Sequence, residues 1–250
     1  TEGNGTDGSA TVISIDRAII PNLFTIGNLL CGFLALRYVV EGAYASAAWL
    51  VVLGAALDNM DGRIARLIGH DSAFGIEFDS LADVCTFGFV PAFMLYHSLF
   101  STGWGAAVAF VFLLGGAYRL ARYNVMSHAG GRGEYFTGLP IPAAAIAMTQ
   151  FIVFTQHAWQ TAHAAQLGVI VAVLLTGLMV SRVEYDSMPN FRSGGLWDRC
   201  KQAFFLGGVA LVVHPATSKD FFFPLVLTYL LTGLGRSVAG LFNNEVTQHA

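Results

Sequence analysis

Charged residues are scarce in this sequence. They make up 12% of its 250 residues, whereas a soluble domain usually has about 25%. Apolar residues make up 55%, and the mean hydropathy is +0.60. These values exclude an ordinary soluble domain. They predict an integral membrane protein whose membrane spans themselves form the single domain.

Cysteine is also scarce, and the basic residues are dispersed. The three cysteines, Cys31, Cys85 and Cys200, lie in or near apolar stretches and show no CxxC spacing. This pattern supports neither a disulfide framework nor a zinc site. The net charge of -3 and the scattered Lys and Arg residues argue against a nucleic-acid partner. The expected environment is therefore a lipid bilayer.

Long apolar stretches predict an all-α, polytopic membrane helix bundle. Residues 1–15 are polar and rich in glycine, so we expect a disordered tail there. The predicted membrane domain covers residues 16–185, and residues 186–250 are expected to form a loop and additional transmembrane helices. Six core spans are expected at 18–40, 45–68, 73–98, 104–124, 139–158 and 164–182. Two more are expected at 202–217, which is short for a crossing, and at 221–242.

The placement of Lys and Arg predicts the orientation of these spans. With a cytoplasmic N-terminus, all but two of the 13 basic residues fall on the cytoplasmic side, in line with the positive-inside rule. The two exceptions are Arg37 and Lys219. We therefore expect a protein of the cell's inner membrane with both termini in the cytoplasm.

Four aspartates interrupt the apolar pattern. Asp58 and Asp61 lie in the second predicted span, and Asp79 and Asp83 lie in the third. At about 100° per residue, each pair occupies one face of its helix. The short connection between these spans predicts that the two faces meet near the cytoplasmic ends of the helices. The other residues of these faces are small or basic: Gly62, Ala65, Arg66 and Gly75.

Aspartates within membrane spans need a polar interior and cations to neutralise them. An aspartate at the centre of a membrane helix costs roughly 2.5 to 3.5 kcal/mol, so four of them should not face lipid. Clustered carboxylate oxygens suit Mg²⁺, Mn²⁺ or Ca²⁺, and four acids can hold two such ions. Arg66 beside glycine gaps indicates a phosphate-bearing ligand. The alternative is salt bridging or exposure at the helix ends, but only Arg63 and Arg66 are close in sequence.

The spacing of these residues resembles a known family signature. The pattern Asp58-x2-Asp61-Gly62-x2-Ala65-Arg66-x8-Gly75-x3-Asp79-x3-Asp83 is similar to the complete signature of the CDP-alcohol phosphotransferases. The resemblance implies a membrane-embedded enzyme, commonly a homodimer, that moves a phosphatidyl group from a CDP-linked lipid to an alcohol and releases CMP. It implies that the four aspartates bind two divalent cations, Mg²⁺ or Mn²⁺, and that Asp83 is also the general base. It places Gly62, Ala65, Arg66 and Gly75 at the CDP site.

Three softer motifs resemble the membrane-type phosphatidylserine synthases within that family. They are IPNLFTIGNLLCGFLAL at 20–36, YRLARYNV at 118–125 and YFTGLPIPAAA at 135–145. Together they extend the resemblance over residues 18–185. The implied substrates are CDP-diacylglycerol and L-serine, and the implied mechanism is direct attack of the serine hydroxyl on the lipid phosphorus.

Polar residues outside the signature are candidate substrate ligands. Arg119 and Arg122 lie three apart on one helix face with Asn124 just beyond, and a guanidinium fork suits the planar carboxylate of serine. Alternatively, both arginines anchor the helix at the headgroup level. Asn22 and Thr25 in the first span can hydrogen-bond the cytidine or the pyrophosphate, with a helix-interface role as the alternative.

The sequence is also compatible with two other functions. A related synthase would use glycerol 3-phosphate, inositol phosphate or choline, although a phosphorylated acceptor should need a larger basic cluster than Arg119 and Arg122. A divalent-cation transporter would need acids that continue across the membrane, and the fourth to sixth predicted spans contain none.

Overall fold

The computed structural model describes residues 19–68, 73–100, 103–128, 138–159, 163–181, 220, 222–228 and 231. Within these residues the secondary structure is helical, without a β-strand. The predicted tail at 1–15 and most of residues 186–250 lie outside the described part of the chain. The all-α prediction is confirmed for the part that is described.

The helices follow the apolar stretches of the sequence closely. They are α1 (Ile19–Val40), α2 (Tyr44–Ile68), α3 (Ala73–Asp83), α4 (Val90–Leu99), α5 (Gly105–His128), α6 (Ile141–Phe154) and α7 (Ala164–Val180). A first π-helical segment, Val84–Phe89, joins α3 to α4, and a second, Thr155–Trp159, extends α6. Residues 222–228 are also helical. Because α3, the first π-helical segment and α4 are continuous, they correspond to the single predicted span at 73–98.

Three helical stretches of the described chain are both long and apolar enough to cross a membrane. They are Asn22–Val40, Phe74–Leu99 and Gly105–Met126, and α7 is apolar but shorter. α2 has the predicted length, yet its second half carries two acids and two arginines, which reduces its apolar character. The protein is thus an all-α membrane protein. The total of eight spans stays a prediction, because residues 202–217 are outside the described residues.

A tight turn sets α1 against α2. Gly42 has φ of 74°, a left-handed conformation that suits glycine. The Ala43 amide donates to the carbonyl of Tyr38 at 2.9 Å, and the Gly42 amide donates to the carbonyl of Val39 at 3.0 Å. This pair of bonds is the Schellman ending of a helix. The turn makes α1 and α2 antiparallel neighbours, so the first half of α1 lies beside the acid-bearing second half of α2.

The apolar core extends from α1 and α2 into the remaining helices. α5 packs along α7, and α6 contacts α2, α4 and α7. The largest fully buried side chains include Phe87, Phe112, Met148 and Met179. The helical residues at 222–228 pack on this core, since Phe223 contacts the rings of Phe151 and Phe154. Through its contact with α6, α2 is attached to this core.

Candidate metal centre and active site

The four aspartates predicted to form the site come together. One carboxylate oxygen from each of Asp58, Asp61 and Asp79 lies within 4.8 Å of the other two. Asp58 and Asp61 are one turn apart on α2, and Asp79 and Asp83 are one turn apart on α3. The carboxyl groups of Asp58 and Asp83 are close enough to interact electrostatically. The two helices therefore place all four acids in one cluster.

The cluster is shielded from solvent, and α1 covers part of it. Asp61 and Asp83 are buried, at 5% and 7% exposure, while Asp58 and Asp79 are half-buried. The hydroxyl of Thr25 in α1 donates to Asp61 Oδ2 at 2.9 Å. The side-chain amide of Asn28, one turn further along α1, donates to Asp83 Oδ1 at 3.2 Å. A third helix thus fixes two of the four carboxyl groups.

The chemistry of the cluster fits a divalent cation. Asp79 Oδ1 is buried and has no hydrogen-bond partner among the described residues. No described basic side chain forms an ion pair with any of the four acids. Opposite oxygen ligands of an ion with bonds of about 2.0 to 2.6 Å lie roughly 4 to 5 Å apart. The separation of the three oxygens is therefore compatible with a shared ion, which would also offset the repulsion between the acids.

The residues predicted to line the CDP site lie on α1, α2 and α3. Thr25 is buried and bonded to Asp61, while Asn22 is half-buried at the start of α1. Gly62 is exposed, and a Cβ atom added there would meet no other atom within 4 Å. Gly75 lies in the first turn of α3. Ala65 and Arg66 belong to α2, but their side chains are outside the described part of the structure.

The three residues predicted to bind serine all lie on α5 and have different surroundings. Arg119 is buried, at 8% exposure, and is close enough to Asp83 for an electrostatic interaction. Its Nε atom has no hydrogen-bond partner in the described chain. Arg122 donates to the carbonyl oxygens of Val180 and Ser181, at 2.9 and 3.3 Å. Arg119 is therefore buried within electrostatic range of Asp83, whereas Arg122 contacts the C-terminal end of α7.

Asn124 and Asn28 add contacts that the sequence analysis did not predict. Asn124 Nδ2 donates to Ser80 Oγ at 2.9 Å, which links α5 to the helix that carries Asp79 and Asp83. Asn28 was absent from the predicted site, although it lies one turn after Thr25 and on the same side of the first span. Its polar side chain within an apolar stretch was the available signal.

Helices that can cross a membrane, together with four carboxyl groups gathered from α2 and α3, define a membrane protein with a candidate divalent-metal centre. The chain belongs to the CDP-alcohol phosphatidyltransferase family, whose family model matches residues 18–183. This range contains the four aspartates and every described residue discussed above except those from 220 onward. The family resemblance of the aspartate pattern is thereby confirmed.

Several proteins in this family are similar over most of their length. A Helicobacter pylori protein named CDP-diacylglycerol–serine O-phosphatidyltransferase is 36% identical over 235 residues, which cover 91% of this chain and 96% of that protein. A Methanocaldococcus jannaschii protein of the same name is 30% identical, with 92% of this chain and 100% of that protein covered. An archaetidylserine synthase of Methanothermobacter thermautotrophicus is 33% identical, with 68% and 71% covered.

Proposed function

We propose that this protein transfers a phosphatidyl group from CDP-diacylglycerol to L-serine, giving phosphatidylserine and CMP. The observation that carries the proposal is the gathering of four aspartates, with the buried Arg119 within electrostatic range of Asp83. A cation-binding cluster suits a diphosphate, and a cation beside the general base suits an acceptor with a carboxylate. The names of the relatives, which specify serine as acceptor, support this choice over glycerol 3-phosphate, inositol phosphate or choline.

Asp83 is the proposed general base. Its carboxylate takes the proton of the serine hydroxyl, and the resulting oxygen attacks the phosphorus that carries the diacylglycerol. A new bond forms between this oxygen and the phosphorus. The bond between that phosphorus and the oxygen bridging to CMP breaks, and CMP leaves with the electron pair. Nothing in this sequence of steps requires a covalent intermediate with the protein.

The four aspartates would hold the metal. Asp58, Asp61 and Asp79 present oxygens close enough to share a divalent cation, and Asp83 is within electrostatic range of Asp58 and Asp79. We propose two ions, either Mg²⁺ or Mn²⁺, because four carboxylates carry enough charge and enough oxygens for a pair. When bound, these ions offset the charge of the diphosphate and of the leaving phosphate. The unpartnered Asp79 Oδ1 is the donor that most needs such an ion.

Arg119 is the proposed ligand for the serine carboxylate. It is buried and within electrostatic range of Asp83, which supports a place for the acceptor between this guanidinium and the base. Arg122 and Asn124 complete the proposed serine site from the same helix. Asn22, Thr25, Gly62 and Gly75, with Ala65 and Arg66, are the proposed residues of the CDP site.

We further propose a homodimer in the inner membrane with its active site facing the cytoplasm. The orientation is supported by the distribution of Lys and Arg, nearly all of which fall on one side of the predicted topology. The dimer is supported by the family resemblance. Because α2 and α3 carry the site near one end, the acyl chains of the lipid substrate can stay in the bilayer during the reaction.

The test is an acceptor assay with purified protein in phospholipid vesicles. CMP release from CDP-diacylglycerol would be measured with L-serine, glycerol 3-phosphate, inositol phosphate or choline, each with Mn²⁺, with Mg²⁺ or with a chelator. We expect CMP only when serine and a divalent ion are both present. Release with another acceptor but not serine would overturn the acceptor. Manganese flux into vesicles without CDP-lipid would instead support a transporter.

A further inference from the structure

Asn28 is a completely buried amide in the middle of an apolar helix. Its exposure is 0%, and its Nδ2 atom donates to Asp83 Oδ1 at 3.2 Å, across 55 residues of sequence. A carboxylate oxygen can only accept, so the NH₂ side of the amide must be the side that faces Asp83. The contact therefore has a direction that follows from chemistry.

The backbone of Asn28 is fixed by a second bond to the same part of the chain. The hydroxyl of Thr86, in the first π-helical segment, donates to the carbonyl oxygen of Asn28 at 3.1 Å. Thr86 lies three residues after Asp83. α1 is thus bonded at two points to the junction of α3 and this segment, once through the main chain and once through the amide. Replacing the Asn28 side chain removes only the second bond and leaves the first in place.

The other side of the Asn28 amide is tightly enclosed. Asn28 Oδ1 is buried and has no hydrogen-bond partner among the residues described here. A Cβ atom at Gly54 of α2 would lie 2.9 Å from this oxygen and 3.1 Å from Thr86 Cγ2. The absence of a side chain at Gly54 leaves room for the amide. A buried acceptor without a partner is unfavourable for stability, so packing alone does not explain an amide at this position.

We propose that Asn28 is a positioning residue that orients the carboxyl group of Asp83 for proton transfer. With Oδ1 held by the amide, the Asp83 carboxyl cannot turn freely between the other acids and the acceptor. This restraint is useful because Asp83 has three neighbouring carboxylates. Without the bond from Asn28, interactions within the metal-binding cluster would turn the Asp83 side chain away from the acceptor. The inference rests on the proposed function, in which Asp83 is the base.

The test compares two replacements of Asn28 with a matched control. Asn28→Leu keeps the approximate shape and removes the donor, and Asn28→Ser is smaller and does not reach Asp83. Gln150→Leu is the control, since Gln150 is another buried amide, lies in α6, and has an Nε2 atom without a partner in the described residues. The measurements are kcat and KM for both substrates, Mn²⁺ binding and the unfolding temperature in detergent.

We expect both Asn28 variants to lose kcat by about 100-fold, as misplacement of a catalytic group typically costs. KM for both substrates, Mn²⁺ binding and the unfolding temperature should change little, and Gln150→Leu should keep its kcat. A kcat within threefold of wild type in both Asn28 variants would overturn the inference. So would equal losses of kcat, Mn²⁺ binding and stability, because these indicate a structural role.

Failure of the inference is distinguishable from failure of the proposed function. If the wild-type protein releases no CMP with serine, the proposed function is wrong. If the wild-type protein is active and the Asn28 variants are equally active, only the positioning role is wrong. Should Asn28→Leu fail to fold, Asn28→Ser decides, because a smaller side chain cannot collide with Gly54 or Thr86.

Discussion

The close helix contacts at glycine in the described residues include one beside the aspartates and one in the apolar part of the bundle. In the acid-bearing contact, Gly54 of α2 lies against Asn28 of α1 and Thr86 of the first π-helical segment. In the apolar contact, Gly115 of α5 lies against Thr176 of α7. A Cβ atom would lie 2.9 Å from Asn28 Oδ1 at the first contact and 2.5 Å from Thr176 Cγ2 at the second. Small residues are common where membrane helices approach closely, so the glycines alone do not mark a functional site.

The two contacts differ in their buried polar groups. Among the described residues, three of the buried polar atoms without a partner belong to Asn28, Asp79 and Arg119, all of which interact with Asp83. At the apolar contact, the Thr176 hydroxyl donates to the carbonyl of Ala172 at 2.7 Å, within its own helix. Unsatisfied polar groups destabilise a fold. Their presence around Asp83 indicates that the acid-bearing contact serves a reaction, whereas the apolar contact serves packing.

Removal of divalent ions should have the largest effect and should act only on the acid-bearing contact. We expect a chelator to reduce CMP release to background and added Mn²⁺ or Mg²⁺ to restore it, because the acids would hold the ions that bind the diphosphate. Mn²⁺ should also raise the unfolding temperature. At an ion concentration of 100 times Kd, binding should increase the free energy of unfolding by about 2.7 kcal/mol. α5, α6 and α7 contain no acid, so their packing should not respond directly.

The control for this experiment is Asp79→Asn. This variant should lose the Mn²⁺-dependent rise in unfolding temperature, since Asp79 supplies an oxygen to the cluster. An equal rise in the variant and in wild type would place the ion elsewhere.

Asp83→Asn should have the next largest effect. We expect turnover to fall by about 10² to 10⁴, the range usual for loss of a general base, while binding of CDP-diacylglycerol is largely kept. The isosteric amide removes the base and preserves the shape of the side chain. Measuring kcat together with lipid binding separates these two effects. If binding and turnover were lost in equal measure, Asp83 would serve only as a ligand and would not be the base.

Arg119→Lys should have a smaller effect, limited to the acceptor. The lysine keeps the charge but loses the planar fork, so KM for serine should rise by about 10- to 100-fold, as expected for one or two bonds to a charged group. KM for CDP-diacylglycerol should stay the same. Arg122→Lys provides the comparison on the same helix. Because Arg122 also bonds to the carbonyls of Val180 and Ser181, its variant should lower stability and should raise KM for serine less than Arg119→Lys does.

The helices and the aspartate cluster were predictable from sequence for simple reasons. The apolar runs are separated by turn residues, so the predicted spans at 18–40 and 45–68 agree with α1 and α2 almost to the residue. The i,i+3 and i,i+4 spacing of the aspartates places each pair on one face, and the short connection brings the two faces together. Local periodicity was sufficient for both conclusions.

The remaining contacts depend on tertiary structure and could not be read from local pattern. Asn28 and Asp83 are 55 residues apart, and their contact depends on how α1 crosses α3. Their spacing places Arg119 and Arg122 on one face of α5. Only Arg122 bonds to the end of α7, because α7 ends beside Arg122. The π-helical turn after Asp83 shifts the side chains that follow it. The sequence offers no periodic signal for that shift.

The smallest expected effect comes from a matched pair of glycine replacements, Gly54→Ala and Gly115→Ala. Both add a methyl group where a side chain already lies closer than 3.0 Å to its position, so both should lower stability, by about 1 to 3 kcal/mol for overpacking. Only Gly54→Ala displaces the Asn28 amide. We therefore expect kcat of the folded protein to fall several-fold in this variant and to stay unchanged in Gly115→Ala.

Gly177→Ala completes this comparison, because Gly177 lies in α7 and a Cβ atom there meets nothing within 4 Å. It should leave activity unchanged and should stabilise the helix slightly, by about 0.4 to 1 kcal/mol. Turnover must be expressed per folded molecule, so that a loss of stability is not read as a loss of catalysis. Equal kcat in Gly54→Ala and Gly115→Ala would remove the distinction between the contacts. A selective loss in Gly54→Ala would show that the space beside Asn28 is needed for turnover as well as for folding.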